Sequence, residues 1–318
     1  MTLSTASSLF GQTPPEELAY LRERILALKA QMNAVIVAHN YQHPEVQDIA
    51  DFVGDSLELS RRCKDADADV IVFCGVHFMA ETAAILNPTR TVLLSEARAG
   101  CPMADMITTD DLREWKQRYP QAAVVCYVNT TAAVKAESDI CCTSANAAKV
   151  VQSLPNDEIL FVPDQNLGHY VSTQVKDKRM IMYPGYCHTH VRLTPEHIRQ
   201  AKALHPGAPV VVHPECLPEV AAMADAVLST GGMLRYVRES TASTLLIGTE
   251  AGIIYRMQNE NPTKQFYVVA KALLCPNMKR TTLHSVLATM EQRRNVIRVP
   301  EDIRLRALRA VERMLAVA

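Results

Sequence analysis

The chain has 318 residues and a formal net charge of −1, with 48% hydrophobic and 21% charged residues. So balanced a charge excludes a generic nucleic-acid binder, which carries a basic excess. So apolar a composition excludes disorder, and the length alone predicts about two domains.

After a Ser/Thr/Pro-rich start, PEELAYLRERILALKA predicts an amphipathic helix in an N-terminal extension, residues 1–33. AVIVAHNY (34–41) opens with the β-branched run of a strand buried on both faces and ends in His39 and Tyr41. Pro44 suits a helix start, because its fixed φ and missing N–H fit the first turn. Val46, Ile49, Ala50 and Val53 follow it at helical spacing. LELSRRC (57–63) predicts a helix, VIVFCGV (70–76) a strand and HFMAETAAIL (77–86) another helix. The pattern then begins again. AVVCYVNT (123–130) ends in Tyr127 and Asn129, with ILFVPD (159–164) as its later strand. PVVVHPEC (209–216) ends in His213 and Glu215, with TLLIGTE (244–250) as its later strand. Pro300-Glu301 opens a terminal helix through Met314. Both terminal helices are expected against sheet edges.

These recurrences share one register. Asp51, Asp139 and Asp225 each lie 12 residues beyond His39, Tyr127 and His213. Asp55, Thr143 and Ser229, then Ser56, Ser144 and Thr230, fill the next common slots, and Val76, Asp164 and Glu250 close the later strands. One cysteine per unit follows in phase: Cys101, Cys187 and Cys275, spaced by 86 and 88 residues. The reading is an α/β protein of three similar αβα domains, each with a parallel sheet. The domains are expected at 34–118, 119–203 and 204–290, with residues 291–318 as a helix on the core. Ligands bind beyond the carboxyl ends of parallel strands. Three units around a pseudo-threefold axis would therefore aim their strand ends at one central active site.

Nine cysteines cannot all pair with one another. The N-terminus MTLSTASSLF has no basic segment before an apolar run, so no secretory signal is expected. No uncharged apolar stretch reaches about 18 residues, so no membrane span is expected. The chain reads as cytoplasmic, with reduced thiols available for packing, metals or catalysis. Structural zinc sites use four ligands and short local spacings such as C-x₂-C, which this chain lacks. Three thiolates from distant loops suit a [4Fe–4S] cluster with one iron lacking a protein ligand. Such an iron can act as a Lewis acid in dehydration chemistry. Cys63, Cys74, Cys126, Cys141, Cys142 and Cys216 read as packing residues. Glu215, Tyr41, His39, His213 and Tyr127 can move protons. Ser56, Ser144, Ser229 and Thr230 stand by helix starts, which bind carboxylates and phosphates or simply cap the helix.

The segments AHNYQHPEVQDIADFVGDSLELS, YVNTTAAVKAESDICCTS, FVPDQNLGHYV, VHPECLPEV and CPNMK closely resemble the quinolinate synthase family, over roughly residues 20–315. The resemblance implies condensation of iminoaspartate with dihydroxyacetone phosphate to quinolinate, with loss of phosphate and two waters, in NAD biosynthesis. It implies that Cys101, Cys187 and Cys275 bind the [4Fe–4S] cluster, with Met278 nearby. It gives acid–base roles to Glu215 and Tyr41, and substrate contacts to His39, His213, Tyr127 and Asn129. Ser56, Ser144, Ser229 and Thr230 would hold carboxylate or phosphate groups. An aspartate-oxidising partner is a further family expectation. Some members carry a C-x₂-C beside the third ligand; this chain has Cys275 alone there, so no disulfide switch is expected. Rival readings are another open-site [4Fe–4S] dehydratase, the radical enzyme of diphthamide synthesis and a non-enzymatic iron–sulfur sensor. The sensor would need a basic stripe or a helix–turn–helix, and the chain shows neither.

Overall fold

The computed structural model describes residues 13–317. Its strands form three four-stranded parallel sheets. The first contains β1 (Ala34–His39), β2 (Phe52–Gly54), β3 (Val70–Cys74) and β4 (Thr91–Leu94). The second contains β5 (Ala123–Tyr127), β6 (Ile140–Cys142), β7 (Glu158–Val162) and β8 (Arg179–Met182). The third contains β9 (Val210–Val212), β10 (Ala226–Val227), β11 (Thr244–Gly248) and β12 (Gln265–Val268). All three share one spatial order, β2-β1-β3-β4, β6-β5-β7-β8 and β10-β9-β11-β12. Helices fill the connections, so the fold is α/β. The leading strands are buried throughout, which accounts for their unbroken Val/Ile/Ala runs.

The in-phase aspartates prove to be structural. Asp51 Oδ2 accepts the Ile36 N–H at 2.8 Å, Asp139 Oδ2 that of Val124 at 2.7 Å, and Asp225 Oδ2 that of Val210 at 2.8 Å. The aspartate N–H groups return bonds to the same residues' carbonyls. Each carboxylate thus clamps the second strand of its sheet to the leading one. This clamp corrects one expectation: the helix from Pro44 ends at Ile49, and Val53 lies in β2. Pairing at Asp51 pulls the chain out of the helix and into the sheet.

The helix after each cysteine packs on the next unit's residues. Trp115, in Thr109–Arg118, packs against Tyr183 with the rings tilted by 57° and their centroids 5.3 Å apart, and the helix Pro195–Leu204 is followed by His205, stacked on Tyr267 at 4.2 Å. The helix Leu283–Gln292 returns to the first sheet, where Leu283, Val286 and Met290 join Ile36, Val72 and Leu93 in one core. Leu21 and Ile25 of the N-terminal helix (Pro15–Gln31) enter that same core, so this helix covers a sheet face rather than an edge. The terminal helix Glu301–Val317 packs beside the edge strand β6 and the helix His77–Leu86. Among the described residues, no helix is long and apolar enough to cross a membrane.

Candidate active site

The leading strands deliver their polar ends to one cavity. His39 and Tyr41, Tyr127 and Asn129, and His213 and Glu215 all line it. Ser56, Ser144 and Thr230 line it too, and so do Cys101, Cys187 and Cys275. Open mouth included, it holds about 760 Å³, within the range of small-molecule sites. Ser229 is not on its wall; this residue caps the helix Thr230–Glu239, accepting the Gly232 N–H at 3.2 Å. Thr230 accepts from Asn40 Nδ2 at 3.1 Å. Cys63, Cys74, Cys126, Cys141, Cys142 and Cys216 are buried away from this wall, in keeping with packing roles.

Glu215 is the hub. Its Oε1 accepts the Tyr127 hydroxyl at 2.5 Å, and its Oε2 lies 2.7 Å from His190 Nδ1. Burial opposes the charge, yet the imidazoles of His213 and His190 and the bonds from His190 and Tyr127 hold Glu215 well below the ordinary carboxylate range. His190 Nε2 lies 2.8 Å from Thr249 Oγ1, either atom donating according to the tautomer of the imidazole. Thr249 in turn lies 2.6 Å from the Tyr41 hydroxyl. A continuous hydrogen-bonded path therefore joins Tyr41 to Glu215. Burial first, then the Glu215 charge, raises both phenols well above their ordinary value, so Tyr41 and Tyr127 remain donors.

His39 and His213 are set by the repeat itself. The Tyr41 N–H donates to His39 Nδ1 at 3.2 Å, and the Glu215 N–H to His213 Nδ1 at 3.3 Å. An accepting Nδ1 places the proton on Nε2. Burial pushes both imidazoles down to about 3, helped at His39 by the His213 charge and opposed at His213 by Glu215. Both are neutral Nε2–H donors near neutral pH, and His213 Nε2 meets Ser144 Oγ at 3.2 Å.

The cysteine loops repeat beyond the cysteine. The backbone N–H groups of Ala104, His190 and Met278, each three residues on, favour the thiolates of Cys101, Cys187 and Cys275. Residues four on donate to the cysteine carbonyls: Asp105, Val191 and Lys279. Seven on, Thr108, Thr194 and Thr282 each close a capping box. Each loop is also tied back to the helix behind its third strand, by His77 to Ala99, Gln165 to Gly185 and Ala251 to Leu273. Gly185 is required there, since a Cβ would fall 2.5 Å from the Pro163 carbonyl. Burial pushes the Cys101 thiol up to about 12, with the Cys275 charge adding to it. Cys187 is raised further by burial, then by Glu215 and Cys101. Three such thiols around one cavity ionise together only about a cation, and their N–H donors are already in place, so the donor set fits a metal centre.

His190 was not among the sequence candidates. It occupies the slot of Ala104 and Met278, so the register aligns it but carries no shared chemistry that would single it out. Asp164 and Glu250 were read only as strand ends.

A parallel-sheet enzyme with a thiol-rich, proton-moving cavity is the class these features define. The comparisons make it particular. A family profile described as "Quinolinate synthetase A protein" matches residues 23–316. The chain is 57% identical over 295 residues to a quinolinate synthase of Thermodesulfovibrio yellowstonii, covering 93% of this chain and 97% of that protein. It is 58% identical over 297 residues to one of Dehalococcoides mccartyi, covering 93% and 98%. To one of Methanoregula boonei it is 54% identical over 302 residues, covering 95% and 100%. The chain belongs to the quinolinate synthase family of NAD biosynthesis. Membership implies iminoaspartate and dihydroxyacetone phosphate as substrates and a [4Fe–4S] cofactor.

Proposed function

We propose that this cavity condenses iminoaspartate with dihydroxyacetone phosphate to quinolinate, releasing phosphate and two waters. Cys101, Cys187 and Cys275 would hold the [4Fe–4S] cluster, leaving one iron without a protein ligand. The observation that carries the reading is the arrival of three thiols, one per sheet unit, in the cavity that holds Glu215. When bound, the cluster supplies a Lewis acid for substrate oxygens and departing hydroxide.

The chain's own residues supply the rest. Glu215 accepts a proton from a substrate carbon or nitrogen and returns it at a later step. The path through His190 and Thr249 lets Tyr41 deliver or recover that proton from a second position. His39 and His213 act as Nε2–H donors to carbonyl or phosphate oxygens, since neutral imidazoles with Nδ1 occupied are poor bases at that atom. Both substrates are anionic. Ser56, Thr230 and Ser144 line the cavity, so their hydroxyls suit a carboxylate or phosphate; Asp55 and Ser229 cap the first turns of the helices that Ser56 and Thr230 begin. Buried Asn129 Oδ1 has no donor within the protein and suits a substrate N–H or O–H.

The shared strand order and the return of the helix Leu283–Gln292 to the first sheet support three domains about a pseudo-threefold axis, with 34–118, 119–203 and 204–290 as the sequence repeats and each repeat's last helix packed on the next sheet. A cytoplasmic site of action and supply of iminoaspartate by an aspartate-oxidising enzyme complete the proposal.

A second reading has its own observation. Ligand atoms of Cys187, His190 and Glu215 lie within 4.8 Å of one another, a possible seat for one zinc or iron ion. It would leave Cys101 and Cys275 unexplained in the same cavity. Iron and sulfide analysis after anaerobic reconstitution decides between the two. About four irons and four sulfides per chain support the cluster; one metal without sulfide supports the single-ion site and overturns the proposal.

A further inference from the structure

We infer that the buried Glu250–Lys279 pair is a positioning device that ties the Cys275 loop to the strand end carrying Tyr41. The inference deepens the cluster reading and rests on it.

Glu250 is fully buried, and each of its oxygens has a structural partner. Oε1 accepts the Cys275 N–H at 3.1 Å and lies 2.9 Å from Lys279 Nζ. Oε2 accepts the Gly252 N–H at 2.7 Å. Lys279 stands four residues past Cys275 and donates its own N–H to the Cys275 carbonyl at 3.1 Å. Its ammonium also donates to the Tyr41 carbonyl. The loop is therefore gripped at the cysteine amide and at the cysteine carbonyl, and the same lysine reaches the first unit. Glycine is required at position 252, where a Cβ would sit 2.6 Å from the Tyr41 oxygen and 2.7 Å from Lys279 Nζ.

A buried ion pair adds little net stability over an apolar pair of similar volume. What it adds is direction: one carboxylate fixes two backbone amides and one ammonium. The same slot in the second unit holds Asp164, fully buried, whose Oδ1 accepts from Asn166 and Leu167 at 2.8 Å each and so caps the helix Gln165–Gln174. In the first unit the slot holds Val76, which offers no acceptor. Of the three slots, that of Glu250 places a carboxylate on its own unit's cysteine amide.

The test uses the anaerobically reconstituted holoenzyme and follows iron release to a chelator by absorbance. The double variant Lys279→Met/Glu250→Gln removes both charges and keeps one side-chain oxygen. It is expected to release iron at least tenfold faster than wild type, with kcat falling more than KM rises. Arg304→Met, which breaks a partly buried ion pair that does not line the cavity, is the control: it should lower the melting temperature and leave iron release unchanged. Should the double variant fail to fold, Lys279→Arg carries the test, because a planar guanidinium keeps the charge and loses the compact contact point; several-fold faster release is expected. Release within twofold of wild type in the folded variants overturns the inference. A wild-type protein that takes up no cluster overturns the cluster reading as well, whereas equal retention by wild type and variants overturns this inference alone.

Discussion

Glu215 receives two strong donors on two oxygens, Tyr127 on one and His190 on the other. Glu215→Gln keeps the shape but turns one acceptor into an NH₂ facing a donor. We expect turnover to fall at least about 100-fold, the range of a lost acid–base group, with iron content nearly unchanged and the melting temperature lowered, one unsatisfied buried donor costing about 1–3 kcal/mol. Near-normal kcat would remove Glu215 from the chemistry. The two strand-end histidines make a second prediction, for the metal-free chain. Their folded pKa, about 3, lies below the ordinary 6.5, so the unfolded chain binds more protons between these values. The stability they contribute is fully present above pH 6.5 and is lost as pH falls towards 3. Urea midpoints should drop over that window, and His213→Asn should flatten the slope; an unchanged slope would contradict it. These residues were legible because each ends an apolar run with a polar side chain. His190 was not, because its slot holds alanine and methionine in the other units and so carries no shared chemistry.

At the scale of elements, the repeat is held by one device used three times. Asp139→Ala removes the acceptor of the Val124 N–H and frees β6 from β5. The expected cost is about 1–2 kcal/mol, read as a lower urea midpoint with unchanged slope, while quinolinate formed per folded molecule stays near wild type. Loss of activity without loss of stability would place Asp139 in the chemistry instead. Thr194→Ala, at the capping box after Cys187, should cost about 1 kcal/mol. The long leading strands and amphipathic helices were legible from periodicity. β2, β6 and β10 were not: two or three residues carry no period, and these strands exist because a neighbouring aspartate clamps them.

Across the whole molecule, sequence unit and packing unit are offset by one helix, since each helix after a cysteine lies on the following sheet. Sequence spacing shows which segments recur, and only burial shows which sheet each segment covers. The cysteine phase survives this offset, because every loop is tied to the start of the helix behind its own third strand before the chain moves on. One consequence separates ligands from packing thiols. Cys63→Ser, at a fully buried helical position, should retain cluster and activity, whereas loss of the cluster there would contradict the ligand assignment. The most direct measurement of the central claim is quinolinate formation from iminoaspartate and dihydroxyacetone phosphate by the anaerobically reconstituted chain, beside its Cys101→Ser, Cys187→Ser and Cys275→Ser variants. The account predicts quinolinate from the parent, and neither cluster nor quinolinate from any of the three folded variants. An intact cluster in the parent without quinolinate, or a variant that keeps both, would contradict it.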